Sequence, residues 1–345
     1  MTSGPRVFVT RPLPAGGTDP LTDPEGPGPP CEVVQRTNDE PLDRAGLADA
    51  LAEGIDGVVC VLTERFDAHV FAAGQERLRV VANVAVGYDN IDVEAATAAG
   101  VVVCNTPGIL DDTTADLAFL LILAATRRSS EAESVLRAGR WTGFHMDEFL
   151  GRDVHGATLG LVGYGRIARA VARRAAGFAM DVIHHTRTPT GEPGWVGDLQ
   201  ELLARSDIVS LHVPLTPATR HLIGRPELAA MKPTAVLVNT ARGPVVDEEA
   251  LAEALERGVI GAAGIDVFEA EPAVHPRLLA APGAVLLPHI GSATVATRTA
   301  RARLASASAR AVLAGELPPT ALNPQAASSV CGDSTYVPPG YTSRT

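Results

Sequence analysis

Three polar residues, Arg242, Glu271 and His289, each follow an apolar run: Arg242 after Val236-Leu-Val-Asn-Thr-Ala, Glu271 after Ile265-Asp-Val-Phe, and His289 after Val285-Leu-Leu-Pro. If those runs are strands of one open parallel sheet, the three side chains stand outside its carboxyl ends, where such sheets bind ligands. A guanidinium can grip a planar carboxylate bidentately and polarise an adjacent keto oxygen. An imidazole can donate the proton that a new hydroxyl requires. Glu271 would hydrogen-bond the imidazole, fix its orientation and favour its protonated form. Together they suit the reduction of a 2-keto acid. Taken singly each has a plainer explanation: an Arg at a strand end is often a surface charge, Glu271-Pro272 can be a turn, and a His after a proline can be a loop residue. Their joint placement is what argues for chemistry.

A reduction needs a hydride donor, and Thr158 to Ala168 offers a place for one. An apolar strand enters Gly163-x-Gly165-x-x-Ala168, and the helix-prone run Arg169 to Phe178 leaves it. Small residues at that spacing allow a dinucleotide pyrophosphate to approach the backbone, and the free N–H groups that open the helix can hold its phosphates. An ordinary tight strand-to-helix turn would read the same way in isolation.

The elements that must position these residues form two arrays. Arg6 to Thr10, Cys31 to Val34, Gly57 to Leu62, Arg79 to Val86 and Val101 to Cys104 read as strands alternating with short helices, hence a parallel α/β sheet. Pro12 to Pro30 is too rich in Gly and Pro for a useful helix. Asp111 to Arg128 is helical and apolar on most faces, which predicts burial between domains or subunits. The second array comprises the glycine turn, Asp181 to His185, Ile208 to His212, Ala235 to Asn239, Gly261 to Val267 and Ala284 to Pro288, a doubly wound nucleotide-binding domain. The Ala-rich helix near Val295 to Leu313 can return to the first domain. The expected division is 1–106 completed by 295–325, then 107–294, then a structureless tail over 326–345.

A chain of 345 residues with 46% hydrophobic and 20% charged residues is expected to bury a substantial interior in two domains. The net charge of -11 carries no basic run, which argues against nucleic acid or an anionic membrane as partner. Cys31, Cys60, Cys104 and Cys331 show neither metal-type nor disulfide-framework spacing, so no metal is expected and reduced thiols in a cytoplasmic protein are. The N-terminus has no signal-like charged and apolar regions, and the apolar stretch Leu117 to Ala125 is too short to cross a bilayer.

Val86-Gly-Tyr-Asp-Asn-Ile-Asp92, Thr114-Ala-Asp-Leu117, Leu159 to Ala168, Leu211-His-Val-Pro-Leu-Thr216, Asn239-Thr-Ala-Arg-Gly-Pro-Val-Val-Asp247, Gly264-Ile-Asp-Val-Phe-Glu-Ala-Glu-Pro272 and Pro288-His-Ile-Gly-Ser-Ala-Thr294 run in order along the chain. In these segments the sequence resembles the D-isomer-specific 2-hydroxyacid dehydrogenase family. Gly139-Arg-Trp141 through Leu150-Gly-Arg-Asp-Val-His-Gly156 is most similar to its glyoxylate/hydroxypyruvate reductases. The resemblance implies two doubly wound parallel-sheet domains, a flavodoxin-like substrate domain and a Rossmann nucleotide-binding domain. It implies Arg242, Glu271 and His289 as the catalytic set, with the N–H groups of Val86 and Gly87 on the substrate carboxylate. It implies that Asp266 holds a nicotinamide carboxamide and that Thr114, Val213, Pro214, Thr240 and Gly291 line the cofactor beside Gly163, Gly165, Arg166 and Ile167. Homodimers are implied, largely through the nucleotide domain and the region Asp111 to Gly156. Trp141 then either shapes a neighbour's substrate pocket or serves as a plain interface anchor.

Two features depart from the family pattern. An NAD-preferring site ends its second strand with Asp or Glu. Here the strand ends His184-His185-Thr186-Arg187, and Thr186 and Arg187 can meet a 2′-phosphate, which predicts NADP over NAD; a surface Arg187 without a cofactor role is the other reading. The second departure is Pro12 to Pro30, where the family has a helix. His69, His145, His155, His184, His185, His212, His221 and His275 carry no partner pattern and read as structural or surface residues. The leading expectation is reduction of glyoxylate or hydroxypyruvate to the D-2-hydroxy acid. The alternatives are another D-2-hydroxyacid or phosphite-type dehydrogenase, or a dinucleotide-sensing corepressor-like binding protein. A D-3-phosphoglycerate dehydrogenase is disfavoured because the chain ends soon after Asn323.

Overall fold

Short Val-rich runs bounded by Gly, Pro and Asp become strands, and aspartates just before the intervening segments start helices. In the computed structural model, which describes residues 4–75 and 77–329, the chain begins β1 (Arg6–Val9), α1 (Asp19–Thr22), β2 (Glu32–Gln35), α2 (Arg44–Ala52), β3 (Gly57–Cys60), α3 (Ala68–Ala73), β4 (Val80–Asn83), α4 (Val93–Ala98) and β5 (Val102–Cys104). Asp43, Asp67 and Asp92 accept first-turn N–H groups of α2, α3 and α4. The five strands pair in parallel in the order β2-β1-β3-β4-β5, the flavodoxin-like arrangement.

The chain continues with α5 (Asp111–Thr126), α6 (Ser129–Arg137), β6 (Thr158–Val162), α7 (Arg166–Ala176), β7 (Asp181–His185), α8 (Leu199–Arg205), β8 (Ile208–Leu211), α9 (Arg225–Ala230), β9 (Val236–Asn239), α10 (Glu248–Glu256), β10 (Ala262–Ile265), α11 (Pro276–Ala280), β11 (Ala284–Leu286) and α12 (Val295–Leu313). Strands β6 to β11 form a second parallel sheet, ordered β11-β10-β9-β8-β6-β7. A lone parallel bridge between His184 and Trp195 adds a rudimentary strand beyond β7. With it the order becomes Rossmann-like, reversing between β6 and β8. Helix α5 is buried along Thr114, Ala115, Ala118, Phe119, Leu121, Ile122, Ala125 and Thr126, in one core with Leu159, Leu161, Val236 and Val238.

The molecule divides into two compact units. One runs to Ile109 and resumes at Thr294; the other spans Leu110–Ala293. The expected division at 106/107 thus falls in the loop between β5 and α5. Helix α12 closes the first unit: Thr294 caps it, and Ala302, Ala305, Ala309 and Val312 share a core with Val7, Val9, Val59 and Val80. Small residues let the helix sit close to the sheet.

The Gly/Pro stretch after β1 contains only the single turn α1. Its order comes from α12: the buried Arg310 guanidinium donates to the carbonyls of Pro20, Asp23, Pro27 and Gly28. Irregular backbone lacks ladder partners of its own, and one cation here satisfies four of its acceptors.

One expectation needs correction. A structureless tail from residue 326 is not what the chain does there, because a 3₁₀ turn over Pro324–Ser329 buries Ala326 and Ala327 in the core that includes Val102 and Cys104. The remainder of that expected tail, and Cys331 within it, lies outside the described residues. Cys31, Cys60 and Cys104 are buried free thiols. Among the described residues no helix is long and apolar enough to cross a membrane.

Candidate active site

Register places the chemistry. His185, Val162, Leu211, Asn239, Ile265 and Leu286 pair side by side across the second sheet. Just past this row, at the carboxyl ends, come Thr186, Gly163, Val213, Thr240, Asp266 and His289. The expected residues of this unit therefore share one edge of one sheet.

At β6 the chain turns sharply. Gly163 has φ +87°, and a Cβ there would lie 2.5 Å from the His212 carbonyl oxygen, so both conformation and space require glycine. Gly165 is extended, precedes α7, and has nothing within 4 Å of the position of its missing Cβ. The turn therefore offers an open approach to the N–H groups of Arg166 and Ile167, which have no partner within the helix. Nearby, the Thr240 hydroxyl is buried without a partner. An open glycine turn, free N–H groups and an orphaned hydroxyl fit a dinucleotide. The Arg166 guanidinium is tied to Asp111 at 3.1 Å, so its main chain rather than its side chain faces this role.

Behind the turn Tyr164 stacks on the His184 ring, centroids 3.8 Å apart, and the Arg169 guanidinium lies over the Tyr164 ring, 4.7 Å from its centroid. His184 Nε2 meets the Thr190 hydroxyl at 2.8 Å, and burial lowers its pKa. His184 is thus a packed structural residue of the loop that follows β7. In that loop the Thr186 hydroxyl donates to the Thr188 carbonyl at 2.6 Å and accepts from the Trp195 indole at 3.1 Å. It is engaged within its own loop rather than presented outward. Arg187 is exposed, with no partner among the described residues.

His289 sits in a left-handed conformation, φ +52°. This is uncommon for a non-glycine residue and is held by the surroundings. Its N–H donates to the Asp266 carbonyl at 2.8 Å, and the next two N–H groups, of Ile290 and Gly291, each donate to one Asp266 carboxylate oxygen at 2.8 Å. Asp266 is buried, and that burial pushes its carboxyl up to about 6 against the pull of those two N–H groups and of His289. It holds the turn that carries the imidazole, while each oxygen keeps a second lone pair. Thr114 on α5 completes the hold by donating to the Gly291 carbonyl at 3.2 Å.

His289 Nδ1 meets Glu271 Oε2 at 2.8 Å. Glu271 Oε1 accepts the Phe268 N–H at 3.0 Å. Nε2 of the imidazole has no partner among the described residues. Burial works to raise the Glu271 carboxyl, but the hydrogen bond and charge of His289, the Phe268 N–H and the Arg242 guanidinium outweigh it and hold it below the ordinary carboxylate range. Arg242 is brought to this pair by its neighbour: a Cβ on Gly243 would lie 1.9 Å from the Phe268 carbonyl, so the two backbones touch where only glycine fits. The Arg242 carbonyl accepts Asn239 Nδ2 at 2.9 Å, fixing the turn through main chain. Buried Glu248 holds the loop that bears Glu271 from both sides, accepting the N–H groups of Glu269 and His275. Val213 is half-buried and Pro214 exposed, beside β8.

Val86 and Gly87 follow β4 in the first unit, partly exposed. Among the described residues their N–H groups donate to nothing. Asp266's hold on the His289 turn, the Glu248 clamp and the Tyr164–His184 stack were not foreseen in the sequence. For Glu248 the only signal was an acidic residue at a helix start, which reads equally as an ordinary first-turn charge.

The sequence model of the D-isomer specific 2-hydroxyacid dehydrogenase NAD binding domain matches residues 119–291. A protein of Thermococcus gammatolerans called glyoxylate reductase is 46% identical over 328 residues, 92% of this chain and 96% of that one. The crystal structure of a glyoxylate reductase from Paecilomyes thermophila superposes with a TM-score of 0.82 at 35% identity, over 94% of this chain and all of that one (100%). An NADPH-dependent glyoxylate/hydroxypyruvate reductase from Sinorhizobium meliloti, solved with citrate, gives a TM-score of 0.79 at 35% identity, over 92% and 97%.

Proposed function

The chain belongs to the D-isomer-specific 2-hydroxyacid dehydrogenase family, and from that premise we propose that it reduces a small 2-keto acid, glyoxylate or hydroxypyruvate, to the D-2-hydroxy acid. A bound nicotinamide dinucleotide would supply the hydride. The observation that carries the reading is the 2.8 Å bond between His289 and Glu271 at the carboxyl edge of the second sheet. With Nδ1 committed to the carboxylate, Nε2 is the atom left to give a proton to the substrate oxygen. Arg242 polarises that oxygen and meets the carboxylate beside it. The Val86 and Gly87 N–H groups take the carboxylate as backbone donors. Gly163, Gly165 and the first N–H groups of α7 hold the pyrophosphate, with Thr240 and Val213 against the rest of the dinucleotide and Asp266 towards its carboxamide. Incubating the purified chain with NADPH and glyoxylate, and following absorbance of the reduced cofactor, tests this directly. Tight dinucleotide binding without turnover of any small 2-keto acid would favour a sensor instead.

NADP is the preferred cofactor in this reading. Arg187 is an exposed cation at the end of β7, and among the described residues His184, His185, Thr186 and Arg187 there supply no carboxylate to receive a ribose 2′-hydroxyl. Because the Thr186 hydroxyl is occupied within its loop, Arg187 carries the preference. Replacing Arg187 with Ala should lower kcat/KM for NADPH by about 10–100-fold, the worth of a charge-assisted hydrogen bond, and leave NADH almost unaffected. An NADH advantage in the unaltered protein would overturn the assignment.

The partner is a second copy of the chain. Leu120, Leu136, Trp141, Phe144, Met146 and Leu150 are exposed apolar residues on or after α5 and α6, more than isolated surface hydrophobics require. Sedimentation at micromolar concentration should give a dimer mass; a monomer there removes the proposal. The buried free thiols agree with a cytoplasmic setting.

A further inference from the structure

We propose that Asn105 is a positioning residue that aims the Gly87 N–H at the substrate carboxylate; this rests on the reading of Val86 and Gly87 given above. Their N–H groups belong to two successive peptide units, 85–86 and 86–87. A trans peptide holds its C=O and N–H antiparallel, so whatever fixes the oxygen also aims the hydrogen. The Ala85 oxygen accepts the Thr106 N–H at 2.9 Å. The Val86 oxygen accepts Asn105 Nδ2 at 2.8 Å. Two consecutive residues past β5 thus hold two consecutive carbonyls, and both N–H groups are turned away from them. Adjacent N–H groups facing one way make a concavity suited to an anion.

The flanking units are held too. The Val84 oxygen accepts from the Arg301 guanidinium on α12, and the Gly87 oxygen accepts Asn83 Nδ2 at 3.1 Å. Asn83 also donates to Asn90 Oδ1 at 3.0 Å, and Asn90 Nδ2 donates to the Val61 and Glu64 carbonyls. Asn105 is anchored in turn, its own N–H on the Thr320 carbonyl at 3.2 Å. All three asparagines are buried. Of these contacts the Asn105 amide is the one that sets the Gly87 donor directly, and it is a side chain, so it can be removed without altering the backbone.

The test compares glyoxylate with glycolaldehyde, which keeps the aldehyde and replaces the carboxylate by an uncharged hydroxymethyl group. Asn105→Ala should raise KM for glyoxylate about tenfold or more, the loss of one charge-assisted donor. The rate with glycolaldehyde and the Kd for NADPH should not move. Asn105→Asp should do at least as much, because a carboxylate oxygen would face the Val86 carbonyl. An unchanged KM for glyoxylate, or an equal loss on both substrates, overturns the proposal. A native protein that shows no preference for glyoxylate over glycolaldehyde defeats the underlying reading of Val86 and Gly87 instead. Should Asn105→Ala fail to fold, Asn105→Asp, which keeps the size and shape of the side chain, carries the same comparison with the same split required.

Discussion

Replacing His289 with Asn should lower kcat for glyoxylate by about 10²–10⁴-fold, equivalent to about 3 to 5 kcal/mol of transition-state stabilisation. Asparagine is the informative choice because it tolerates the left-handed backbone that position 289 adopts, so the turn held by Asp266 should survive. Affinity for NADPH should stay within about twofold, since only an interaction with the reacting oxygen is lost. Single-turnover kinetics and a fluorescence titration of the cofactor measure the two quantities; parallel losses in both would mean the residue shapes the fold rather than the proton transfer. The Glu271 carboxyl is held below its ordinary range. A carboxyl depressed in the folded state stabilises that state above its unfolded pKa and loses the contribution as pH falls through the lowered value. The pair therefore persists through the neutral range and opens only in acid. Glu271→Gln removes the negative partner that orients the imidazole, and should lower kcat for glyoxylate while leaving NADPH affinity within about twofold in the same two measurements.

Arg242→Ala should reduce kcat/KM for glyoxylate by about 10²–10³-fold, the scale seen when a donor to a developing oxyanion is removed. Arg242→Lys should recover only part of that, because an ammonium cannot supply the planar fork. Neither change should unfold the chain. Although the guanidinium donates to the Ala241 carbonyl, the turn is also held independently of the Arg242 side chain, by the Asn239 side-chain amide on the Arg242 carbonyl and by the Gly243 contact with Phe268. Thermal unfolding beside steady-state kinetics separates the cases: a large drop in Tm accompanying the rate loss would assign Arg242 to structure.

Much of this architecture can be read in the sequence because local patterns dictate it. Strands such as Val236–Asn239 are short apolar runs, and the polar residues just beyond them fall at the sheet's carboxyl edge by topology alone. The glycine turn is legible for the same reason: Gly163 is required by backbone conformation. What escapes is set by contacts between distant segments. Nothing in Pro12 to Pro30 says that its order is supplied by Arg310, which lies near the other end of the chain. The Thr186 hydroxyl looks available until Trp195 folds back on it. Asp266 reads only as a ligand-facing carboxylate, whereas its oxygens also hold the N–H groups of Ile290 and Gly291. Asn105 offered only a weak signal, an amide directly after a buried strand, because its meaning lies in the orientation of a peptide plane in another loop.

The first unit is discontinuous, and that sets the order in which a growing chain can become native. As the polypeptide leaves the ribosome, the sheet of β1 to β5 exposes the face formed by Val7, Val9, Val59 and Val80, since the helix that covers it is made only after the whole of Leu110–Ala293. Leu110–Ala293, contiguous and with its own core, can fold in the meantime. The amino-terminal segment thus keeps an uncovered apolar surface until α12 has been made, a surface that a chaperone could hold in the interval.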